Sequence, residues 1–462
     1  MPTPTEFVDA QRARFEEELS DLLRIPSVST LPAHRDDMQR AARWVGDHLC
    51  AAGLDAGVIP TQRHPLVYGE WLGAPGRPTV LCYAHYDVQP VDPLELWNAP
   101  PFEPTVRGAS LFARGAADDK GHVFTIIAAV RAYLQTKTPL PVNLKVLIEG
   151  EEESGGESIE AYVHTEARRL QADAALVLDG GMFAPGIPAI TVGLRGIVGA
   201  EIEVTGASRD LHSGVYGGVA PNPFVALAEI ITRLKDPQGH ILIPHFYDRV
   251  EAPAPAEKAG WERLPFDEEA FLKDEVGATE LTGEPGFSVF ERTWSRPTLE
   301  VHGMPGGYIG EGSKTVIPAR ASAKITMRLV PRQDPEEISR LFESYVRELQ
   351  PRGTRVAFKS RNGSGRVRGG APPVIMSPDG PAIAAARRAF SEVFGEDTAL
   401  IRSGGSIPIV AEFITHLGLP TVITGWALPD SNVHSPNEKL DLEHFHKGIH
   451  ALMRFWEHMG AG

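Results

Sequence analysis

The sequence predicts an α/β fold, a catalytic-type domain with a mixed sheet flanked by helices, interrupted by an inserted α+β domain. Three observations predict it. Strand-like apolar runs alternate with helical apolar spacing as far as Leu178. After Asp179 the chain becomes glycine-punctuated and extended, and Asp236–Pro297 is rich in proline and acid with weak periodicity. Beyond Pro372-Pro373 the strand–helix alternation resumes. A chain of 462 residues is also too long for one hydrophobic core. The predicted parts are 1–190, the insert 191–371, and the returning part 372–462.

The elements follow in order. Phe7, Val8, Phe15, Leu19, Leu22 and Leu23 repeat at helical spacing and predict a helix over 6–23. A second amphipathic helix covers 39–52 and stops at Gly53. A strand is expected at 79–84, a helix at 120–134, a strand at 143–149, a helix at 157–170 and a strand at 174–178. In the insert, 189–204 reads as extended, 222–235 as a helix, 319–330 as an alternating strand, 335–349 as a helix and 356–360 as a short strand. The return brings elements at 382–394, 409–417 and 421–424, then a last helix at 442–459.

Composition narrows the function. Hydrophobic residues make up 42% and charged residues 23%, ordinary values for a globular chain. A formal charge of -15 argues against nucleic acid and anionic membrane as partners. No apolar run spans a bilayer, and residues 1–18 lack the apolar core of a signal peptide, so a cytoplasmic location is expected. Cys50 and Cys82 have no CxxC partners and read as buried, reduced thiols. A metal here must be held by oxygen and imidazole.

Acidic clusters stand at strand ends and a helix start, where open α/β sheets place their sites. His85-Tyr86-Asp87 follows one apolar run, and Asp87 is placed to support a metal-binding His85. Asp118-Asp119 precedes a helix; capping needs only one Asp, and a second can bridge two ions. In Glu151-Glu152-Glu153 one carboxylate can bind metal while a neighbour accepts a proton. Asp179 ends another strand, and His434 lies far downstream. Two histidines, three carboxylate ligands and a spare Glu suit Zn²⁺, Mn²⁺ or Co²⁺ better than Ca²⁺. His444 and His446 read as surface residues. Gly310–Thr315 lacks P-loop spacing, Gly404–Pro408 lacks the last glycine of a nucleophile elbow, and there is no HExxH.

The strings YAHYDVQP (Tyr83–Pro90), RGAADDKG (Arg114–Gly121), EGEEESGG (Glu149–Gly156), LVLDGG (Leu176–Gly181), RDLHSGVYGG (Arg209–Gly218), SKTVIPARASAKITMRLVP (Ser313–Pro331), GGSIPI (Gly404–Ile409) and HSPNEKL (His434–Leu440) occur in order along nearly the whole chain. Together they resemble the M20 metallopeptidases, in particular the dipeptidase branch. The resemblance implies two divalent ions per subunit, zinc first and manganese or cobalt next. Asp118 would bridge them, His85 and Asp179 would complete one site, and Glu153 and His434 the other. Glu152 would be the general base for a metal-bound hydroxide, Asp87 would orient His85, and Glu151 would be a bystander. Asp119 reads as a helix-start or supporting residue.

The resemblance also makes the insert a lid and homodimerisation domain. His212 would reach across the dimer to the scissile carbonyl, Arg328 would hold the substrate carboxylate, and Thr315, Gly405 and Ser406 would be further substrate contacts. The expected reaction is hydrolysis of a dipeptide or short peptide. The alternatives are a related carboxypeptidase, N-acyl amino acid deacylase or desuccinylase, and an inactive metal-binding protein. The long insert favours the dipeptidase; a spare Glu152 argues against the inactive protein.

Overall fold

The computed structural model describes residues 1–359, 370–405 and 407–461. Two compact units emerge: Met1–Val192 with Met376–Ile401 and Ile407–Gly462, and Gly193–Ile375 with Arg402–Ser406.

In the first unit a mixed sheet runs in the order Asp55–Ile59, Leu66–Trp71, Asn143–Glu149, Thr79–His85, Ala174–Leu178, Thr421–Thr424, Ala189–Leu194. Asn143–Glu149, Thr79–His85, Ala174–Leu178 and Thr421–Thr424 are mutually parallel. Their sequences are nearly continuous apolar runs because both faces are covered, and residues 80–85 are all buried. The helix Lys120–Gln135 is buried through Tyr133 and packs against Arg35–Ala52 and Leu442–Ala461. A small antiparallel sheet of Thr105–Arg107, Ser110–Phe112 and Lys439–Asp441 brings the late chain beside the segment that leads into Asp118.

The second unit is built differently. Its four-stranded sheet, Thr298–Gly303, Arg320–Leu329, Gly196–Thr205 and Arg355–Lys359, is antiparallel throughout. Burial alternates along Gly196–Thr205, the signature of a sheet covered on one face. Helices Pro223–Thr232 and Pro335–Glu348 supply that cover.

Several expectations change in detail. The first helix is two, Pro4–Ala10 and Arg12–Leu23, meeting at Gln11; a Thr3–Glu6 capping box starts the first. The extended stretch after 189 divides at Arg195 into two strands. Segment 236–297 carries only short helical pieces, such as Pro255–Trp261 and Glu291–Ser295. Cys82 is buried, but Cys50 is exposed on the outer face of its helix. His446 is only 2% exposed and bonds Glu16, and His444 is half-buried against Asp441, so neither is a surface residue. No helix among the described residues is long and apolar enough to cross a membrane.

Candidate metal centre

The candidate residues of the first unit converge at the carboxyl ends of its parallel strands. His85 is the last residue of its strand, and Asp179 follows Ala174–Leu178 directly. Glu152 and Glu153 lie in the single turn Glu152–Ser154 after Asn143–Glu149. Gly155 and Gly156 end that turn with φ of 118° and 68°, which only glycine adopts without strain. Asp118 precedes Lys120–Gln135. His434 sits on a loop in the left-handed region, φ 61°, uncommon for a residue with a side chain.

Two triads result, and both contain Asp118. Donor atoms of His85, Asp118 and Asp179 lie within 4.8 Å of one another, as do those of Asp118, Glu153 and His434. His85 Nε2 is 3.0 Å from Asp118 Oδ1 and 3.7 Å from Asp179 Oδ1. His434 Nε2 is 2.9 Å from Asp118 Oδ2 and 3.2 Å from Glu153 Oε1. The Asp118 carboxylate thus offers one oxygen to each triad. Glu153 Oε1 is buried and accepts no hydrogen bond among the described residues. An orphaned carboxylate oxygen beside an imidazole nitrogen is the environment a cation fits.

The titration pattern follows from the charge. Burial lowers the His85 pKa, but Asp119, Asp118, Asp179 and Asp87 outweigh it and hold the ring well above its usual value. The nearby carboxylates of Asp118 and Glu153 raise His434 to about 10. Burial raises Asp179 to about 7 despite His85. Asp118 is held low by His434 and His85 against burial. Burial lifts Glu152 well above the carboxylate range, reinforced by Asp179, Glu153 and Glu149. Cations in this cluster would replace the protons, since carboxylates and neutral imidazoles are the ligand forms.

Supporting residues fix the donor side chains. His85 Nδ1 lies 3.1 Å from the Asp87 carbonyl oxygen and 3.4 Å from its carboxylate, so the backbone oxygen is the nearer partner. The Asp87 carboxylate instead accepts from the backbone N–H groups of Glu152 (3.3 Å) and Glu153 (3.1 Å). Asp119 makes no side-chain cap to its helix. It accepts from the His85 N–H at 2.9 Å and pairs closely with His122 Nδ1. His122 Nε2 accepts from the Trp426 N–H, so Nδ1 carries the proton, and burial lowers this ring to about 4. Glu151 is fully buried and accepts from the His64 N–H and from Ser158. It anchors the turn.

The profile of peptidase family M20/M25/M40 matches residues 81–458. The chain belongs to peptidase family M20. It is 33% identical to the Cys-Gly metallodipeptidase of Schizosaccharomyces pombe, over 96% of this chain and 95% of that protein. Human carnosine dipeptidase 1 superposes with a TM-score of 0.86 at 28% identity, over 99% of this chain and 98% of that one. An M20 family metallo-carboxypeptidase from Sulfolobus solfataricus gives 0.84 at 30% identity, over 97% and 99%. The M20 assignment makes the chain a hydrolase that uses divalent metal, and its full-length similarities set it among the family's dipeptidases.

Two parts of this M20 centre carry no signal in composition or periodicity. Glu438, fully buried, accepts from Arg114 Nη1 (2.8 Å) and from the N–H groups of Gly115, Ala117 and Asp118 (2.9, 2.9 and 3.0 Å). It ties down the loop that carries Asp118. Gln89 Nε2 donates to Glu153 Oε2 at 2.6 Å. Both fall inside the quoted strings, the only sequence signal that could have flagged them.

The remaining candidates belong to the second unit. His212 is exposed, and its Nδ1 accepts from the Gly214 N–H at 3.0 Å, so the ring caps the short helix Ser213–Tyr216. Thr315 is exposed, and its carbonyl oxygen accepts from Ser213 N–H on the paired segment. Arg328 is half-buried, opposite Thr298 and Ile197 in the sheet. Arg195 stands directly before Gly196, which faces Leu329 in the same sheet, and burial and then Arg328 lower it to about 10. Gly405 N–H donates to Ser403 Oγ. Ser406 lies outside the described residues.

Proposed function

We propose that this M20 enzyme hydrolyses the peptide bond of dipeptides and short peptides at a dinuclear centre. Asp118 would be shared by the two ions, His85 and Asp179 would complete one site, and Glu153 and His434 the other. Zinc is the first expected occupant, with manganese or cobalt next, because the donors are imidazole and carboxylate. The two donor triads that share Asp118 carry this reading. When bound, the ions supply an acidified water and a Lewis-acid contact for the scissile carbonyl.

The residues do the rest. Glu152 belongs to neither triad, and its turn is held through its own N–H by Asp87. Its carboxylate takes the proton from the attacking water and returns it to the leaving amine. His212, which uses Nδ1 for its cap, keeps Nε2 to donate to the developing oxyanion. Arg328 pairs with the substrate's terminal carboxylate, and Thr315 and Gly405 line the substrate. Segment 191–371 acts as lid and homodimer interface, with 1–190 and 372–462 forming the catalytic domain, and His212 serves the partner's centre.

The names of two relatives supply the first substrates to try, Cys-Gly and carnosine. The test is a panel on chelator-stripped protein reloaded with zinc, manganese or cobalt: dipeptides, longer peptides and N-acyl amino acids. Dipeptide cleavage that returns only with metal is expected. Preference for N-acyl amino acids would overturn the dipeptidase reading. The likeness to the archaeal carboxypeptidase supports a second reading, in which longer peptides lose C-terminal residues. A clear preference for tripeptides and longer chains would select it.

A further inference from the structure

We infer that this chain carries a further cation site, sharing no residue with the Asp118 centre, formed by His164, Glu412 and His416 and suited to zinc. One donor atom from each lies within 4.8 Å of the other two. All three belong to the first unit. His164 is in the last turn of Glu157–Thr165; Glu412 lies in Pro408–Thr415, and His416 caps the end of that helix. A spacing of four puts Glu412 and His416 on one helix face, and the two helices pack together.

The contacts show more than a surface ion pair. His164 Nε2 and Glu412 Oε2 are 2.9 Å apart, which already satisfies that pair. The His416 ring lies tilted against that of His164, with centroids 4.0 Å apart at 37°. Two imidazoles and one carboxylate thus bring one donor atom each to within 4.8 Å of the other two. That is a three-ligand zinc set of the His₂Glu kind, with a fourth position left for water. Ligand atoms about 2.1 Å from a tetrahedral ion stand about 3.4 Å from one another, so small side-chain rotations close the set. The side chains are free to make them: His164 is 47% and Glu412 24% exposed.

The location gives the ion a use. Glu157–Thr165 begins just after Gly155-Gly156, which end the turn bearing Glu152 and Glu153. An ion here pins that helix to Pro408–Thr415 and steadies the turn from behind without touching substrate.

The experiment titrates the chelator-stripped full chain with Zn²⁺ alone, following bound zinc and calorimetric heat. Wild type should bind one equivalent more than the His164→Ala/His416→Ala variant, and that last equivalent should raise the melting temperature of wild type only. Glu412→Gln, the milder change should the double variant misfold, should weaken the same equivalent at least tenfold. Repeating the pair in an Asp118→Asn background separates this site from the dinuclear reading, because the extra equivalent should persist there. Identical zinc number and affinity in wild type and either variant would overturn the inference.

Discussion

The two triads that share Asp118 are built by different means. His85 and Asp179 grow from the ends of adjacent parallel strands, and His85 is wholly buried. Glu153 stands on a turn and His434 on a loop in a left-handed conformation, with 54% of the His434 side chain exposed. The sheet itself therefore sets the first half of the centre. Hydrogen bonds made by Asp87, Gln89 and Glu438 set the second half and the bridge. The first half should bind its ion tightly and exchange slowly, and the second should depend on its anchors.

The sharpest way to break this comparison is to remove what the halves share. Asp118→Asn should lose both ions together and give the largest fall in turnover, read by metal analysis and dipeptide assay. Loss of one ion only would mean that the halves are independent. Next is Glu152→Gln, which should lower kcat about 10²–10⁴-fold, the usual contribution of a general base, while metal content stays at wild-type level. Undiminished turnover would falsify the assignment of the base.

His434→Ala tests the asymmetry itself. It should release one ion and keep the other, while the reciprocal His85→Ala should disturb both, because the wholly buried His85 ring packs against the shared Asp118 and its loss leaves a cavity inside the cluster. Equal, single losses from the two variants would erase the distinction drawn between a sheet-built and a loop-built half. Glu438→Ala should act less directly. It leaves every ligand in place but releases three backbone N–H groups and Arg114. A drop of about 10–100-fold in metal affinity is expected for such a supporting group. Breaking its buried pair with Arg114 should also cost about 3–5 kcal/mol of stability, measured by denaturant unfolding.

The same contrast explains what the sequence could reveal. The strand ends were legible because central parallel strands are continuous apolar runs, so the polar residue that follows each one stands out. His85, Asp179 and the Glu151–Glu153 run were visible this way. His434 was not, since a lone loop histidine has no periodicity to mark it, and only its string of neighbours assigned it. Glu438 and Gln89 were missed because their role is set by a tertiary approach through the small sheet at Lys439–Asp441. The Asp87 carboxylate lies 3.4 Å from His85 Nδ1 but spends its hydrogen bonds on the Glu152–Glu153 turn. In the fold, the helices and central strands were legible to within a few residues. The break at Gln11 was not, because the apolar spacing runs straight across it, nor were the short pieces of 236–297, which no apolar stripe marks. His446 looked exposed because a polar residue on a terminal helix usually is; tertiary packing against Glu16 buries it.

That buried histidine gives the smallest effect and separates the acid sensitivity of the scaffold from that of the centre. Burial lowers the His446 pKa, and Glu16 only partly offsets it; Arg12 and His450 lower it further. The folded state thus binds its proton less readily than the unfolded chain, whose histidine titrates near about 6.5. The stability that His446 contributes is present above that pH and is lost as pH falls through the lower folded value. Melting curves from pH 7 to 5 at fixed zinc should show wild type losing more than His446→Gln, by on the order of 2 °C. Since both proteins keep every residue of the centre, the titration of His85 and His434 cancels in the difference. Parallel curves would mean that acid acts through the centre alone, and that the terminal helix takes no part in it.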